Sequence, residues 1–340
     1  MRKLLNTLYI TTPNAYLSKD GQNVVVSIDG EEAFRIPILN IEGIITFGYM
    51  GASPGLMKLC TDSGVSLTFL SPNGRYIGRL QGQVKGNVLL RKAQDDLFSD
   101  ISKSVRISCL MTAGKIQNQR NVLRRYIRDY GEDPKVSEVA DYLKLSKDKA
   151  LRASDLSVLR GIEGDSAAAY FSVFEKLILN QKEDFKFSGR NRRPPKDFVN
   201  SMLSFCYTLL TNECAAALET VGLDPYLGFM HTLRPGRTSL ALDLIEELRP
   251  YMCDRLVLTL INKLQITKDD FIMQGEEGVI FTDSGKKSMI KAWQSRKKEE
   301  ILHPFLQEKV EIGLIPYIQA MMLAKHIRKD LDDYPVFISK

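Results

Sequence analysis

The chain has 340 residues, more than one typical domain, and its 44% hydrophobic and 26% charged content is that of a globular protein with ample side chains for a core. The five cysteines (Cys60, Cys109, Cys206, Cys214, Cys253) are scattered, odd in number and without C-x-x-C spacing, which argues against a disulfide framework or a structural zinc site and for a reducing cytoplasm. A net charge of +6 is a mild pointer to a polyanionic partner, and no stretch reaches the ~18 uncharged apolar residues of a membrane span.

Up to about Leu80 the chain reads as β. "LLNTLYIT", "NVVVSID", "EAFRIPI", "IEGIITF" and "VSLTFLS" are short and rich in β-branched residues. Turn residues separate them at Asp20-Gly21, Asp29-Gly30 and Pro72-Asn73-Gly74. The basic, Asn6- and Thr7-interrupted start reads as a strand and not as a signal peptide. "SPGLMKLCTDSG" predicts one inserted helix, with Ser53 as N-cap, Pro54 at its first position and Gly64 at its end.

Beyond about Val84 helical periodicity takes over. Ile116, Leu123, Ile127 and Tyr130 form one stripe, with Lys115, Arg120, Arg124, Arg125 and Arg128 on much of the remainder. Ala167, Tyr170, Phe171, Phe174 and Ile178 keep an amphipathic rhythm, and "DFVNSMLSFCYTLLTNECAAALETVG" is apolar on most sides, as a buried helix would be. "GEEGVIFTDSGKKSMIKAW" predicts a hairpin and a further helix. The expected architecture is α+β and multidomain: a β-rich domain over 1–84, a linker over 85–97 and a mainly α-helical domain over 98–340.

Several residues could carry chemistry. Glu163, between Gly161 and Gly164, reads either as a first-turn glutamate facing solvent or as a carboxylate that the flanking glycines let a metal or phosphate approach. Asp224-Pro225 predicts a helix start, which places His231 about two turns into a helix, among Phe229, Met230 and Leu233. Ser239 is a candidate N-cap, and Asp243 and Glu246 stand at i, i+3 on one helix face. Two such acids are usually just solvated, but Arg234, Arg237 and Arg249 surround them, a mixture suited to a phosphate beside a metal. Carboxylates with one imidazole lean toward Mn²⁺ while admitting Mg²⁺. Arg190, Arg192 and Arg193, stiffened by Pro194-Pro195, form a self-repelling loop that a polyanion would relieve. There is no Walker A motif, no G-x-S-x-G elbow, no Rossmann fingerprint and no H-E-x-x-H, so ATP-driven, acyl-transfer and dinucleotide chemistries lose ground.

In order, "GKIQNQRNVLRR", "LRGIEGDSAAAYF", "FSGRNRRPPKDFVN", "YTLL", "GLDPYLGFMHTLRPGRTSLALDLIEELRP" and "LINKLQITKDDF" resemble the CRISPR-associated endonuclease that integrates spacers, the universal catalytic subunit of CRISPR adaptation. "IPILNIEGIITFG" and "GVSLTFLSPNGRYIGRL" extend the resemblance over nearly the whole chain, whose length and wording are most like type I, subtype I-C members. The resemblance implies a metal-dependent DNA endonuclease and integrase with one Mg²⁺ or Mn²⁺ held by Glu163, His231 and Glu246. Asp243 would assist or share the ligation. It implies basic residues beside the site at Arg160, Arg234 and Arg249, and a DNA-binding surface that includes Lys115, Arg120, Arg190, Arg192, Arg193 and Arg237. It further implies a homodimer formed through the β-domain and a heterohexamer in which two dimers flank a dimer of a small ferredoxin-like CRISPR-associated partner. A stand-alone DNase, a mobile-element integrase of the same fold and a non-catalytic basic DNA-binding scaffold remain the other readings.

Overall fold

The computed structural model describes residues 6–12, 14–48, 50–72, 74, 76–80, 88–191, 194–275 and 278–339. Strand β2 (Ala15–Asp20) pairs antiparallel with β3 (Asn23–Ile28), and β3 with β4 (Glu31–Pro37). The last two are joined through Asp29 and Gly30, whose φ values of 52° and 89° are those a tight hairpin turn requires. A second sheet has the order β1-β5-β6-β7, from Thr7–Ile10, Gly43–Phe47, Ser66–Leu70 and Tyr76–Leu80. β1/β5 and β5/β6 are parallel, and β6/β7 is antiparallel.

Parallel strands need a crossover, and the crossover from β5 to β6 carries the expected helix, α1 (Pro54–Ser63). Ser53 Oγ accepts the Leu56 N–H at 3.2 Å, and Gly64 ends the helix with φ 61°. Asn73 of the expected Pro72-Asn73-Gly74 turn lies outside the described residues. Leu17, Val24, Ile44, Leu56 and Leu67 are wholly buried in one core shared by both sheets and α1. Because strand side chains alternate, Ile45 and Phe47 leave β5 on the opposite face and join the larger core of the helical part. There Phe47 stacks on Phe205 at 5.7 Å.

The helices run α2 (Val88–Ser99), α3 (Ile101–Tyr130), α4 (Pro134–Leu151), α5 (Leu156–Ser172), α6 (Phe198–Val221), α7 (Ser239–Arg249) and α8 (Arg255–Asn262). A π-helical turn over Pro250–Asp254 joins the last two. A hairpin of β8 (Phe271–Gln274) and β9 (Gly278–Phe281), helix α9 (Asp283–Lys297), a pair β10 (Glu300–Leu302) and β11 (Lys309–Glu311), and α10 (Ile315–Ile327) complete the order. Asp100, Asp133, Asp155 and Asp197 cap α3, α4, α5 and α6, each accepting a first-turn N–H. Such a cap contributes about 1 kcal/mol.

Three expectations change. From Val88 the expected linker is α2, because Leu90, Gln94 and Leu97 repeat at i, i+4, i+7 and are buried. Glu163 lies in the middle of α5, not in its first turn, since Asp155 starts that helix. His231 is in no helix. Asp224 Oδ1 accepts the Tyr226 N–H at 2.8 Å, so Asp224-Pro225 opens a turn, and the chain stays irregular until α7.

Candidate active site

Helix α7 buries Leu240, Leu244 and Leu248, as its periodicity requires, yet Asp243, Glu246 and Glu247 are buried too, at 1%, 3% and 0% exposure. The solvated helix face expected of such acids is thus absent. Buried carboxylates demand partners, and each of the three has its own set.

Asp243 is saturated by the loop before α7. Its Oδ2 accepts the N–H groups of Phe229 (2.6 Å) and Met230 (3.0 Å). Its Oδ1 accepts the His231 N–H at 3.0 Å and faces His231 Nδ1 at 2.5 Å. The carboxylate therefore favours the imidazole tautomer with hydrogen on Nδ1, which leaves Nε2 as the lone-pair nitrogen. Two more contacts hold this loop. Leu240 N donates to Pro225 O at 2.9 Å, and Arg160 Nη2 donates to Met230 O at 2.6 Å. Gly228 permits the approach: a Cβ there would lie 2.6 Å from the Ser239 carbonyl carbon and 2.7 Å from Asp243 Oδ2. Ser239 is the first residue of α7 and not its cap. Arg234-Pro235-Gly236-Arg237 forms a turn, with Arg237 N donating to Arg234 O at 3.0 Å and Gly236 at φ 73°.

Glu246 faces cations instead. Arg249 Nη1 lies 2.8 Å from its Oε1, and Lys115 Nζ lies 2.7 Å from its Oε2. The same ammonium contacts Glu163 Oε1, so α3 supplies one charge to carboxylates on α5 and α7. Burial opposes the Glu246 charge, but Arg249, Lys115 and His231 outweigh it and bring the carboxyl to about 2. Glu163 and His231 keep 26% and 19% of their side chains exposed, so this cluster opens to solvent on their side. A Cβ on Gly161 or Gly164 would meet nothing within 4 Å, which leaves room beside Glu163.

Glu247, the third acid, ties down the C-terminal segment. It accepts from Tyr334 Oη, from Phe337 N at 2.6 Å and from Gln319 Nε2 at 3.2 Å. Burial pushes its carboxyl up to about 7, against those hydrogen bonds. Behind Arg249 lies Tyr207, whose ring is 4.9 Å from that guanidinium and 5.3 Å from that of Arg190. Tyr207 and Tyr170 donate to Asp254 at 2.6 and 3.1 Å.

The basic residues divide sharply. Lys115, expected on a DNA-binding surface, is buried, with its ammonium paired to two carboxylates. Arg190 is turned inward, to Asn200 Oδ1 at 2.6 Å and Ser204 Oγ at 3.0 Å, and its loop folds back on the start of α6. Arg120 donates to Ala140 O at 3.0 Å between α3 and α4. Arg160 and Arg234 are exposed and Arg237 is half-buried, while Arg192 and Arg193 lie outside the described residues. Sequence reasoning missed Glu247 and the place of Lys115. For the lysine a pattern existed: Met111, Lys115 and Gln119 form an i, i+4, i+8 row, all buried.

Among the described residues no three His, Cys, Asp or Glu side chains form a ready-made metal cage. The side chains here that could act as donors to a divalent cation are Glu163, Glu246 and His231 Nε2. Two carboxylates already share one positive charge beside a clamped imidazole. Buried Glu246 Oε2 meets the ammonium as an ion pair, without an aligned hydrogen bond.

A β-rich part of two sheets joined to a helical body is a fold seen in solved structures. A Cas1 protein from Thermotoga maritima superposes with TM-score 0.83 at 25% identity, covering 98% of this chain and 100% of that one. A casposase bound to integration product gives 0.83 at 22% identity, covering 97% and 93%. A Cas6-RT-Cas1–Cas2 complex gives 0.82 at 21% identity, covering 99% of this chain and 36% of that one. The family model for CRISPR associated protein Cas1 matches residues 8–295. CRISPR-associated endonuclease Cas1 2 of Rhodospirillum rubrum is 47% identical over 100% of both chains. CRISPR-associated endonuclease Cas1 1 of Chlorobaculum tepidum is 46% identical over 99% of each. The chain belongs to the Cas1 family.

Proposed function

We propose that this chain is the endonuclease and integrase of CRISPR adaptation, with a divalent-metal site at Glu163, His231 and Glu246 that takes Mn²⁺ or Mg²⁺. The observation that carries the reading is the convergence of Glu163 and Glu246 on one positive charge, beside an imidazole whose Nδ1 is held by Asp243. Family membership and relatives named as endonucleases support it.

In this reading Asp243 is a positioning residue. All its oxygens are engaged by the loop and the histidine, so it directs Nε2 and does not compete for the cation. When bound, the cation supplies Lewis-acid stabilisation of charge at phosphorus and a more acidic nucleophile. Arg234 and Arg249 neutralise the phosphate oxygens, and Arg249 also keeps Glu246 ionised. The open flank at Gly161 and Gly164 admits the backbone of DNA. The reaction exchanges one phosphodiester for another: the 3′-hydroxyl of a foreign fragment attacks at a repeat boundary and the displaced 3′-oxygen leaves. No ATP enters, in accord with a sequence lacking a Walker A motif. Water in place of that hydroxyl gives nuclease action.

The β-rich part, residues 1–84, forms the homodimer contact. Two dimers flank a dimer of a small ferredoxin-like partner; the presence of Cas1 and Cas2 together in the complex of a structural relative supports a protein partner. DNA is held by Arg160, Arg234 and Arg237, and Arg192 and Arg193 of the same chain contribute further positive charge. The site serves a type I system, of the subtype I-C kind that length and motif wording resemble. The free, buried cysteines support action in the cytoplasm.

The test is Mn²⁺-dependent integration into supercoiled repeat-bearing plasmid, with and without the small partner. Glu163→Ala and His231→Ala are expected to lose strand transfer while folding and DNA binding persist. Near-normal integration by soluble His231→Ala protein would overturn the metal assignment.

A further inference from the structure

Lys115 stands where the proposed cation would. Its Nζ is 2.7 Å from Glu246 Oε2 and in contact with Glu163 Oε1, and only 6% of the side chain is exposed. Lysine is rarely buried unless paired, and here both counter-charges come from other helices. The backbone that carries it has no freedom to retreat. A Cβ on the preceding Gly114 would fall 2.2 Å from Val336 Cγ2 and 3.4 Å from Glu247 Cβ, so α3 is pressed against the C-terminal segment and α7. Asn118, one turn on, donates to Glu247 O at 2.7 Å and Phe337 O at 2.9 Å. On α3 that leaves the lysine side chain as the part free to move.

Two cations cannot share this place. Mg²⁺ takes oxygen ligands at about 2.0–2.1 Å. An ammonium in contact with both carboxylates fills the gap between them. We propose that Lys115 is a built-in placeholder: in the metal-free protein its ammonium neutralises Glu163 and Glu246 and keeps α5 and α7 at the right separation, and a divalent cation binds by displacing it. The inference rests on the metal reading above. It adds that metal affinity in this chain is a difference between two cations competing for one pair of carboxylates. Uptake is then an exchange of one cation for another that leaves little unpaired charge at any stage.

The experiment is direct titration of the full-length protein with Mn²⁺ at fixed pH and salt, reading free Mn²⁺ by electron paramagnetic resonance. Thermal melts with and without Mn²⁺ accompany it. Lys115→Met, which keeps length and removes charge, is expected to bind Mn²⁺ about ten-fold more tightly or better, given the loss of a positive charge a few ångströms away. Its metal-free melting temperature falls, and Mn²⁺ raises it by more than it raises the wild type. Lys115→Arg stays at wild-type affinity or weaker. Equal or weaker binding by Lys115→Met overturns the placeholder. The metal reading itself fails separately, and takes the placeholder with it, if wild type binds no Mn²⁺ or His231→Ala binds it as well as wild type does. Should Lys115→Met not fold, acetic anhydride labelling of the wild type decides. Lys115 is expected to react several-fold faster with Mn²⁺ present, and an unchanged rate overturns the proposal.

Discussion

Replacing Asp243 with alanine removes one carboxylate and strands four donors. Three are the backbone N–H groups of Phe229, Met230 and His231, at 2.6, 3.0 and 3.0 Å from its oxygens; the fourth is His231 Nδ1 at 2.5 Å. Phe229 and Met230 are buried, so water cannot readily take the vacated place. Leaving a buried donor unsatisfied costs roughly 1–3 kcal/mol, so two fully buried amides alone set a loss of about 2–6 kcal/mol. The half-buried histidine donors add less, because solvent reaches them. Relaxation of the loop reduces the total, so a loss of about 3 kcal/mol in urea unfolding is the expected result. Hydrogen exchange localises the damage: the amides of 229–231 should lose protection while those in the middle of α6 keep it. Asp243→Asn should fare little better, since its amide nitrogen points a donor at donors. If Asp243→Ala unfolds within about 0.5 kcal/mol of wild type and those amides stay protected, the carboxylate is not what holds the histidine loop.

Glu247 makes stability depend on pH. Burial raises its folded-state value to about 7 from 4.5, so the folded protein binds this proton more tightly than the unfolded chain. Its contribution is complete below about pH 4.5 and is lost as pH rises through about 7, by up to roughly 3 kcal/mol. Glu247→Gln should remove that slope, and urea unfolding at pH 5 and pH 8 measures it; identical pH dependence in both proteins would refute the assignment. Arg234→Ala with Arg237→Ala should weaken binding of unrelated DNA duplexes alike and flatten the logarithmic salt dependence by about one unit for each phosphate no longer neutralised. Fluorescence anisotropy over a salt series checks this, and an unchanged slope removes the turn from the DNA surface. Arg190→Ala should instead lower thermal stability, because its guanidinium is bonded to Asn200 and Ser204 and lies over Tyr207.

Much of the fold was legible locally. Ser53, Pro54 and Gly64 marked both ends of α1, and Asp29-Gly30 marked a hairpin, because caps and turns depend on residues a few positions apart. The same rules misled at Asp224-Pro225. That pair can open a turn as readily as a helix, and the choice was made by α7, whose first amides take Pro225 O and hold the loop irregular. Periodicity also placed Asp243 and Glu246 on one face but said nothing of depth, since a helix face carries no mark of what will cover it.

The division between these two acids shows where local rules end. One turn apart, they have the same charge and belong to the same helix. Asp243 lies under a loop that presents three amides and an imidazole. Glu246 lies under α3, which brings an ammonium from far along the chain. Glu163 meets that ammonium 48 residues after it, a separation over which no spacing rule operates. Element types, caps and turns are set by steric and hydrogen-bonding preferences within a few residues, so they can be read from residue order. Which carboxylate clamps the histidine, which faces a cation, and that Lys115 and Arg190 point inward depend on burial. The free energy of a charge is settled by every group packed around it, and those groups meet only when the helices do.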